Sequence, residues 1–185
     1  MYKVEDVANY FLSKKSMSPK KLQKIVYYAY GWTLALLNEE IKALDNRLFN
    51  EPIEAWVHGP VVPELYQKYK NYGWQNIEKI DENQDELFSE DVKDVLSQVW
   101  EVYGGYTANE LESISCNEFP WKKARDGLAP FESSSVKISD EDMFRFFNEQ
   151  TNTSKEQCSE KVRAYDYQYD MYLDEFDDFT GEALS

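Results

Sequence analysis

The chain has 185 residues, of which 42% are hydrophobic and 16% aromatic, and its formal net charge is −15 at pH 7. This length predicts one domain with at most an appendage, and the composition excludes an intrinsically disordered chain. So negative a protein repels nucleic-acid phosphates and anionic membranes and attracts basic partners, although acidity can also serve solubility alone.

The cysteine content and the N-terminus indicate a cytoplasmic protein. Cys116 and Cys158 are too few for a disulfide framework in a chain of this size. The N-terminal residues include acids and lack a continuous apolar run, so they do not resemble a signal peptide. No apolar stretch is long enough to cross a bilayer. We therefore expect reduced thiols, no membrane association and a cytoplasmic location.

The first part of the chain predicts two helices, the second of which is central. Residues 4–12 carry apolar side chains at the spacing of an amphipathic helix. Ser18 followed by Pro19 is a typical helix start, and this helix is expected to run to about Asn38. Gly31 in its interior predicts the close approach of another element. Aromatic side chains nearly encircle the helix, which indicates that it is surrounded: Tyr27, Tyr28, Tyr30 and Trp32.

A rigid strand–turn–helix corner is predicted next. Residues 53–57 are interpreted as a half-buried strand in which Ile53 and Trp56 face inwards and Glu54 faces the other way. The Gly-Pro pair at 59–60 is expected to stop this strand, because glycine can adopt a positive φ and proline cannot donate to a ladder. The next proline suits the first turn of a new helix.

The remaining elements complete a mainly α fold: a compact helical domain around a central long helix, with a small two- or three-stranded β element. A short strand at 136–138 is expected to pair with the strand at 53–57. Helix starts or short helices are predicted at Pro63, Ser89, Thr107, Pro120 and Ser139.

The C-terminal segment, 151–185, is predicted to be an acidic aromatic extension of a domain at 1–150. Within it, residues 154–179 predict an amphipathic helix whose aromatic seam repeats at alternating spacings of four and three. Three roles for the seam stay open: it could pack on its own domain or a second copy, dock on a foreign partner, or mimic nucleic acid. The seam and its acidic flanks form the partner-binding hypothesis: Tyr165, Tyr169, Tyr172, Phe176 and Phe179, with Asp166, Asp170 and Asp174.

The sequence gives no positive sign of an enzyme, a metal site or a cofactor. His58 is the only histidine, and no Cys/His cluster has ligand spacing, so a packing role is favoured. No phosphate-binding loop or nucleophile elbow is present. The basic cluster of Lys20, Lys21 and Lys24 is interpreted as a solvated helix face, and Trp56 and Trp121 as core residues.

Three motifs in order resemble the SocA-like, Panacea antitoxin family. They are Lys21-Leu22-Gln23-Lys24 with the following Tyr27-Tyr28 and Gly31-Trp32, then Ile53-Glu54-Ala55-Trp56 with Gly59-Pro60-Val61-Val62-Pro63-Glu64-Leu65-Tyr66, then Leu111 to Trp121. Ser115-Cys116 stands where the family tends to have a Thr-His pair. The resemblance assigns the following residues to a scaffold: Lys21, Leu22, Gln23, Tyr27, Tyr28, Trp32, Trp56, Gly59, Pro60, Val61, Pro63, Tyr66, Pro120 and Trp121.

The resemblance implies a non-catalytic antitoxin that neutralises a co-encoded toxin by binding it. It also implies that shared motifs hold the scaffold while variable attachments choose the partner. The acidity favours a toxin with a basic surface and disfavours direct nucleic-acid binding, and a homodimer stays open. Two other classes are considered: a phage-type inhibitor of a host defence or nucleic-acid enzyme, and an adaptor that delivers a bound protein to a protease.

Overall fold

The computed structural model describes residues 1–151, and this part of the chain is mainly helical. Two short strands, β1 (Glu54–Trp56) and β2 (Gly59–Val61), separate the second and third helices. The fold class is therefore confirmed, whereas the predicted C-terminal helix at 154–179 lies outside the described residues. The helices are α1 (Val4–Lys14), α2 (Pro19–Leu37), α3 (Pro63–Tyr69), α4 (Glu90–Tyr103), α5 (Ala108–Asn117), α6 (Phe119–Ala124) and α7 (Asp140–Thr151).

Helix α2 is the centre of the domain, as its aromatic composition predicts. The Ser18 side chain caps its start by accepting a hydrogen bond from the Lys21 amide, and Pro19 is its first residue. Thirteen of its nineteen residues are buried. It packs against α1, α3, α4, α5 and β2, so its position fixes the positions of most other elements.

The predicted close approach at Gly31 is also confirmed. The Phe147 ring of α7 lies directly over this glycine, where a β-carbon would collide with it. The ring also packs against Tyr27, Tyr28 and Trp32 of the same helix. Gly31 therefore makes room for the aromatic contact that joins α7 to the central helix.

The predicted strand does end before the Gly-Pro pair at 59–60, but this pair begins a second strand in place of the predicted turn. Strands β1 and β2 pair antiparallel through a two-residue turn, with Ala55 opposite Pro60 and Trp56 opposite Gly59. Gly59 adopts a φ of 98°, which suits this hairpin. Pro60 is tolerated because its partner Ala55 needs no donor from it: the Ala55 carbonyl accepts from Arg125 Nη1 at 2.9 Å, and the Ala55 amide binds Val136 O at 2.8 Å.

The predicted face of Trp56 is wrong, whereas those of Ile53 and Glu54 and the predicted pairing with residues 136–138 are confirmed. Ile53 and Ala55 are buried, whereas Glu54 and Trp56 share the outer face, where the Trp56 indole donates to the Glu54 carboxylate at 2.8 Å. The alternation of side chains along a strand requires this arrangement. On the free side of β1, Ile138 N donates to Ile53 O at 2.8 Å.

Residues Met1–Asn148 form one compact unit, and a second unit begins at Glu149, nearly all of it outside the described residues. From Pro63, α3 runs to Tyr69 and continues as a 3-10 turn over Lys70–Tyr72, which Gly73 ends. None of the described helices combines the length and the apolar character that a membrane span requires.

Candidate functional site

The β-hairpin is clamped from one side by two polar side chains of α2. Gln23 makes two hydrogen bonds with the backbone of Val62: its amide nitrogen donates to Val62 O at 3.1 Å, and its oxygen accepts from Val62 N at 2.8 Å. Lys24 Nζ donates to Pro60 O at 3.0 Å. Because these bonds are buried, they replace water at a strand edge that has no strand partner. The Gln-Lys pair of the first motif therefore binds the backbone of the second motif.

Lys24 is fully buried in this clamp, so its prediction as a solvated residue is wrong. Burial lowers the pKa of its ammonium to about 8, although the neighbouring Cys116 and Glu112 raise it. A β-carbon at residue 59 would lie 2.9 Å from Lys24 Nζ and 3.0 Å from Ser115 Oγ. The glycine is therefore needed for space as well as for its positive φ.

A buried carboxyl group contacts α2 through two tyrosines of this helix. Glu118 is 6% exposed and accepts hydrogen bonds from Tyr28 OH at 3.0 Å and Tyr27 OH at 3.2 Å. Burial raises the pKa of Glu118 to about 8, and the tyrosine hydrogen bonds lower it by less. Burial and the Glu118 charge raise the pKa of both tyrosines well above the ordinary value. The three side chains tie α2 to the junction between α5 and α6.

A second clamp comes from α6 and the residue after it. The Trp121 indole donates to Trp56 O at 2.9 Å, and Arg125 Nη1 donates to Ala55 O at 2.9 Å. The Arg125 guanidinium also lies 5.3 Å from the centre of the Trp121 ring. Side chains from both sides thus fix the short hairpin, which could not be stable alone.

The rim of this network carries an ion cluster at the hairpin tip. His58 Nδ1 lies 2.7 Å from one Glu112 oxygen, and Lys20 pairs with the other. Burial raises the pKa of the Glu112 carboxyl, but hydrogen bonds from Lys20 and His58 outweigh it and hold that pKa below its ordinary value. The His58 side chain is 63% exposed, so it contacts α5 from the surface and is not a core residue.

The outer face of the hairpin displays partly exposed aromatic rings. Trp56 packs edge-on against Tyr66 of α3, with ring centres 4.9 Å apart. Tyr66 is 41% exposed. Trp56 and Trp121 are each only partly buried, contrary to the sequence-based expectation that both are core residues.

The structure brings most motif residues into this one region. Lys21 lies at its edge, where Nζ donates to Gly104 O at 2.6 Å, and the Trp32 indole donates to Tyr103 OH at 3.1 Å. Pro63 begins α3. The members buried in the interior are Leu22, Gln23, Tyr27, Tyr28, Gly59, Pro60, Val61 and Pro120. The aromatic seam from Tyr165 to Phe179 and its acidic flanks lie outside the described residues.

Three charged residues hold the network together: Lys24, which was predicted to be solvated, and Glu118 and Arg125, for which no role was predicted. A signal existed for Lys24, because it precedes Tyr28 by four residues and therefore lies on a buried face of the helix. For Glu118 and Arg125 the sequence carried no comparable signal, since their partners are distant in the chain. Among residues 1–151, no group of three or more His, Cys, Asp or Glu side chains could hold a metal ion.

Comparison with known proteins gives one match. A family model described as "Antitoxin SocA-like, Panacea domain" matches residues 22–122, which is more than half of the chain. This range contains both α2 clamp residues, the hairpin, Glu118 and Trp121. No curated protein and no solved structure gives a significant match.

Proposed function

Because this chain belongs to the SocA-like antitoxin family with the Panacea domain, we propose that it neutralises a co-encoded toxin by binding it directly. The observation that carries this proposal is the family match over residues 22–122. The proposal includes no catalytic step by this protein and no direct contact with nucleic acid. The net charge of −15 opposes the binding of nucleic-acid phosphates and favours a basic protein partner.

The geometry of the matched segment supports a division of labour within the chain. The hairpin backbone is hydrogen-bonded by the polar groups of Gln23, Lys24 and Trp121. The carboxyl group of Glu118 is hydrogen-bonded by two tyrosines. Groups that are saturated inside the fold are not available to recognise one particular partner. We therefore assign the matched segment to the scaffold and partner choice to other parts of the chain.

We assign partner contact first to the C-terminal segment, on sequence grounds alone. From Tyr165 onward the chain has no Lys or Arg and seven acidic residues. In the predicted helix, the aromatic seam would supply apolar contact area, and the acids would speed encounter with a basic toxin. An apolar seam of this length is rarely left in water by soluble proteins.

Coexpression with the product of the adjacent gene tests the proposal. We expect the adjacent gene product alone to arrest growth and the full chain to restore it. Replacing Tyr169, Tyr172 and Phe176 together by alanine should abolish rescue, whereas Tyr167→Ala, on the opposite side of the predicted helix, should not. Failure of the intact chain to restore growth would contradict the antitoxin function.

Deletion of all residues after Gln150 separates partner binding from folding. If the truncated chain keeps its helical circular dichroism and loses rescue, the segment is the contact element. If it stays folded and rescues fully, the assignment of contact to the C-terminal segment is wrong. If it unfolds, the segment belongs to the core.

A further inference from the structure

Residues 129–132 form a tight turn that is assembled around the buried guanidinium of Arg125. This arginine is 6% exposed, and its Nη2 donates to Glu132 O at 2.6 Å and to Ala129 O at 3.3 Å. Its remaining contact in the turn is with Pro130 O at 3.5 Å. Two further bonds close the turn: Glu132 N to Ala129 O at 3.0 Å, and Ala129 N to the Glu132 carboxylate at 3.0 Å. A surface loop that has so many internal bonds is held in one conformation before any partner arrives.

The turn exposes a large aromatic side chain. Phe131 is 84% exposed, and Ala129 and Pro130 beside it are exposed as well. So exposed a ring adds little to the core of its own domain. A rigid turn with an apolar tip is the arrangement expected of a residue that fills a pocket on another protein.

The turn is fixed to the family scaffold but lies beyond it in the sequence. The family match ends at residue 122, whereas Arg125 binds Ala55 O in β1, inside the matched segment. The same guanidinium thus holds the turn on one side and the hairpin on the other. A feature with this placement is suited to choosing a partner without altering the shared scaffold.

We propose that Phe131 inserts into an apolar pocket of the basic protein that this chain neutralises, as an anchor separate from the C-terminal seam. The inference rests on the proposed function. A second copy of this chain is the less favourable occupant, because two proteins of charge −15 repel each other. A basic partner is attracted by the same field, to which the exposed acids Asp126, before the turn, and Glu132, its last residue, contribute.

Binding of the full-length chain to the purified adjacent gene product, measured by surface plasmon resonance, tests the proposal. Phe131→Ala should weaken binding by about tenfold or more, mainly through faster dissociation, and should leave the melting temperature unchanged. Trp74→Ala is the matched control, because Trp74 is 88% exposed on a different loop. We expect its affinity to stay within about twofold of the unchanged chain.

Glu132→Ala tests the preorganisation separately from the ring. It removes the carboxylate bond to Ala129 N while Phe131 and Arg125 stay in place. We expect an affinity between those of the unchanged chain and Phe131→Ala, because the turn must then be ordered on binding. Association should be slower even at high salt, where the lost charge of Glu132 no longer affects the encounter.

The outcomes distinguish this inference from the proposed function. If the unchanged chain does not bind the adjacent gene product, the proposed function fails and the inference with it. If it binds and Phe131→Ala binds equally tightly, or Trp74→Ala loses as much affinity, only the anchor is refuted. A loss of self-association in Phe131→Ala, seen by light scattering with partner binding intact, would assign the ring to a second copy and refute the anchor too.

Discussion

The phenyl ring of Phe147 lies over the backbone of Gly31 so closely that a β-carbon there would come within 2.7 Å of ring atom Cζ and nearer to two others. Gly31→Ala should therefore destabilise the protein by about 1–3 kcal/mol, since overpacking outweighs the better helix propensity of alanine. Chemical denaturation measures the change. Gly105→Ala is the control, because its β-carbon would meet nothing within 4 Å.

A double variant tests the cause of the Gly31 effect. If the ring is responsible, Gly31→Ala should cost much less in a Phe147→Ala background, and the two effects should not add. Full additivity would mean that the glycine matters for a reason other than contact with Phe147.

The buried carboxyl of Glu118 predicts a stability that falls as pH rises. Its pKa is about 8 in the folded protein, against an ordinary value of 4.5. Between these two values the folded state holds a proton that the unfolded state releases. The contribution of Glu118 to the free energy of unfolding is therefore fully present below pH 4.5 and is lost as pH rises through about 8. One proton gives a slope of at most about 1.4 kcal/mol per pH unit.

Glu118→Gln isolates that contribution. The neutral amide can still accept a tyrosine hydrogen bond, so we expect the variant to gain stability relative to the unchanged protein between about pH 5 and pH 8. Lys24 titrates at the upper end of this window, because its own pKa is lowered to about 8. Parallel stability curves for the two proteins from pH 5 to pH 7 would refute the assignment.

The Gln23 clamp predicts a large cost for a small change. Gln23→Met keeps the side-chain volume but leaves the buried amide of Val62 without its partner. The Val62 carbonyl loses the bond from Gln23 and keeps the one from Tyr66 N. We expect a loss of about 2 kcal/mol or more in the free energy of unfolding. Gln98→Met, on the exposed face of α4, should stay within about 0.5 kcal/mol. Equal effects of the two substitutions would show that the clamp contributes no special stability.

Trp56 should be less important to stability than its place in a family motif suggests. The ring is partly exposed and packs mainly on Tyr66, so Trp56→Ala should cost about 1–2 kcal/mol. Phe147→Ala, at a side chain that is 1% exposed, should cost about 3–5 kcal/mol. Thermal unfolding ranks the two variants, and the reverse order would mean that the hairpin face supports the core more than its exposure indicates.

Local signals in the sequence predicted the helical framework well. Ser18, Ser89 and Thr107 cap helices through hydrogen bonds that depend only on residues three positions away. Gly31 was informative because a glycine inside a helix needs a reason, and close packing is the commonest. Such features are set within one or two turns of the chain.

The candidate site was harder to predict, because its bonds join distant segments. Lys24 was expected in solvent, since an isolated lysine is seldom buried, and only the hairpin carbonyl 36 positions away explains its burial. Glu118 finds its tyrosines about 90 positions earlier. The orientation of Trp56 was misjudged for a simpler reason, because strand alternation was given less weight than hydrophobicity.

Direct binding is the central claim, and light scattering of the purified chain mixed with the purified product of the adjacent gene tests it most directly. We predict a stoichiometric complex that forms without nucleic acid and that persists in size-exclusion chromatography. High salt should slow its association, because the partner is expected to be basic. Growth rescue in cells combined with no complex between the purified proteins at micromolar concentrations would contradict neutralisation by direct binding.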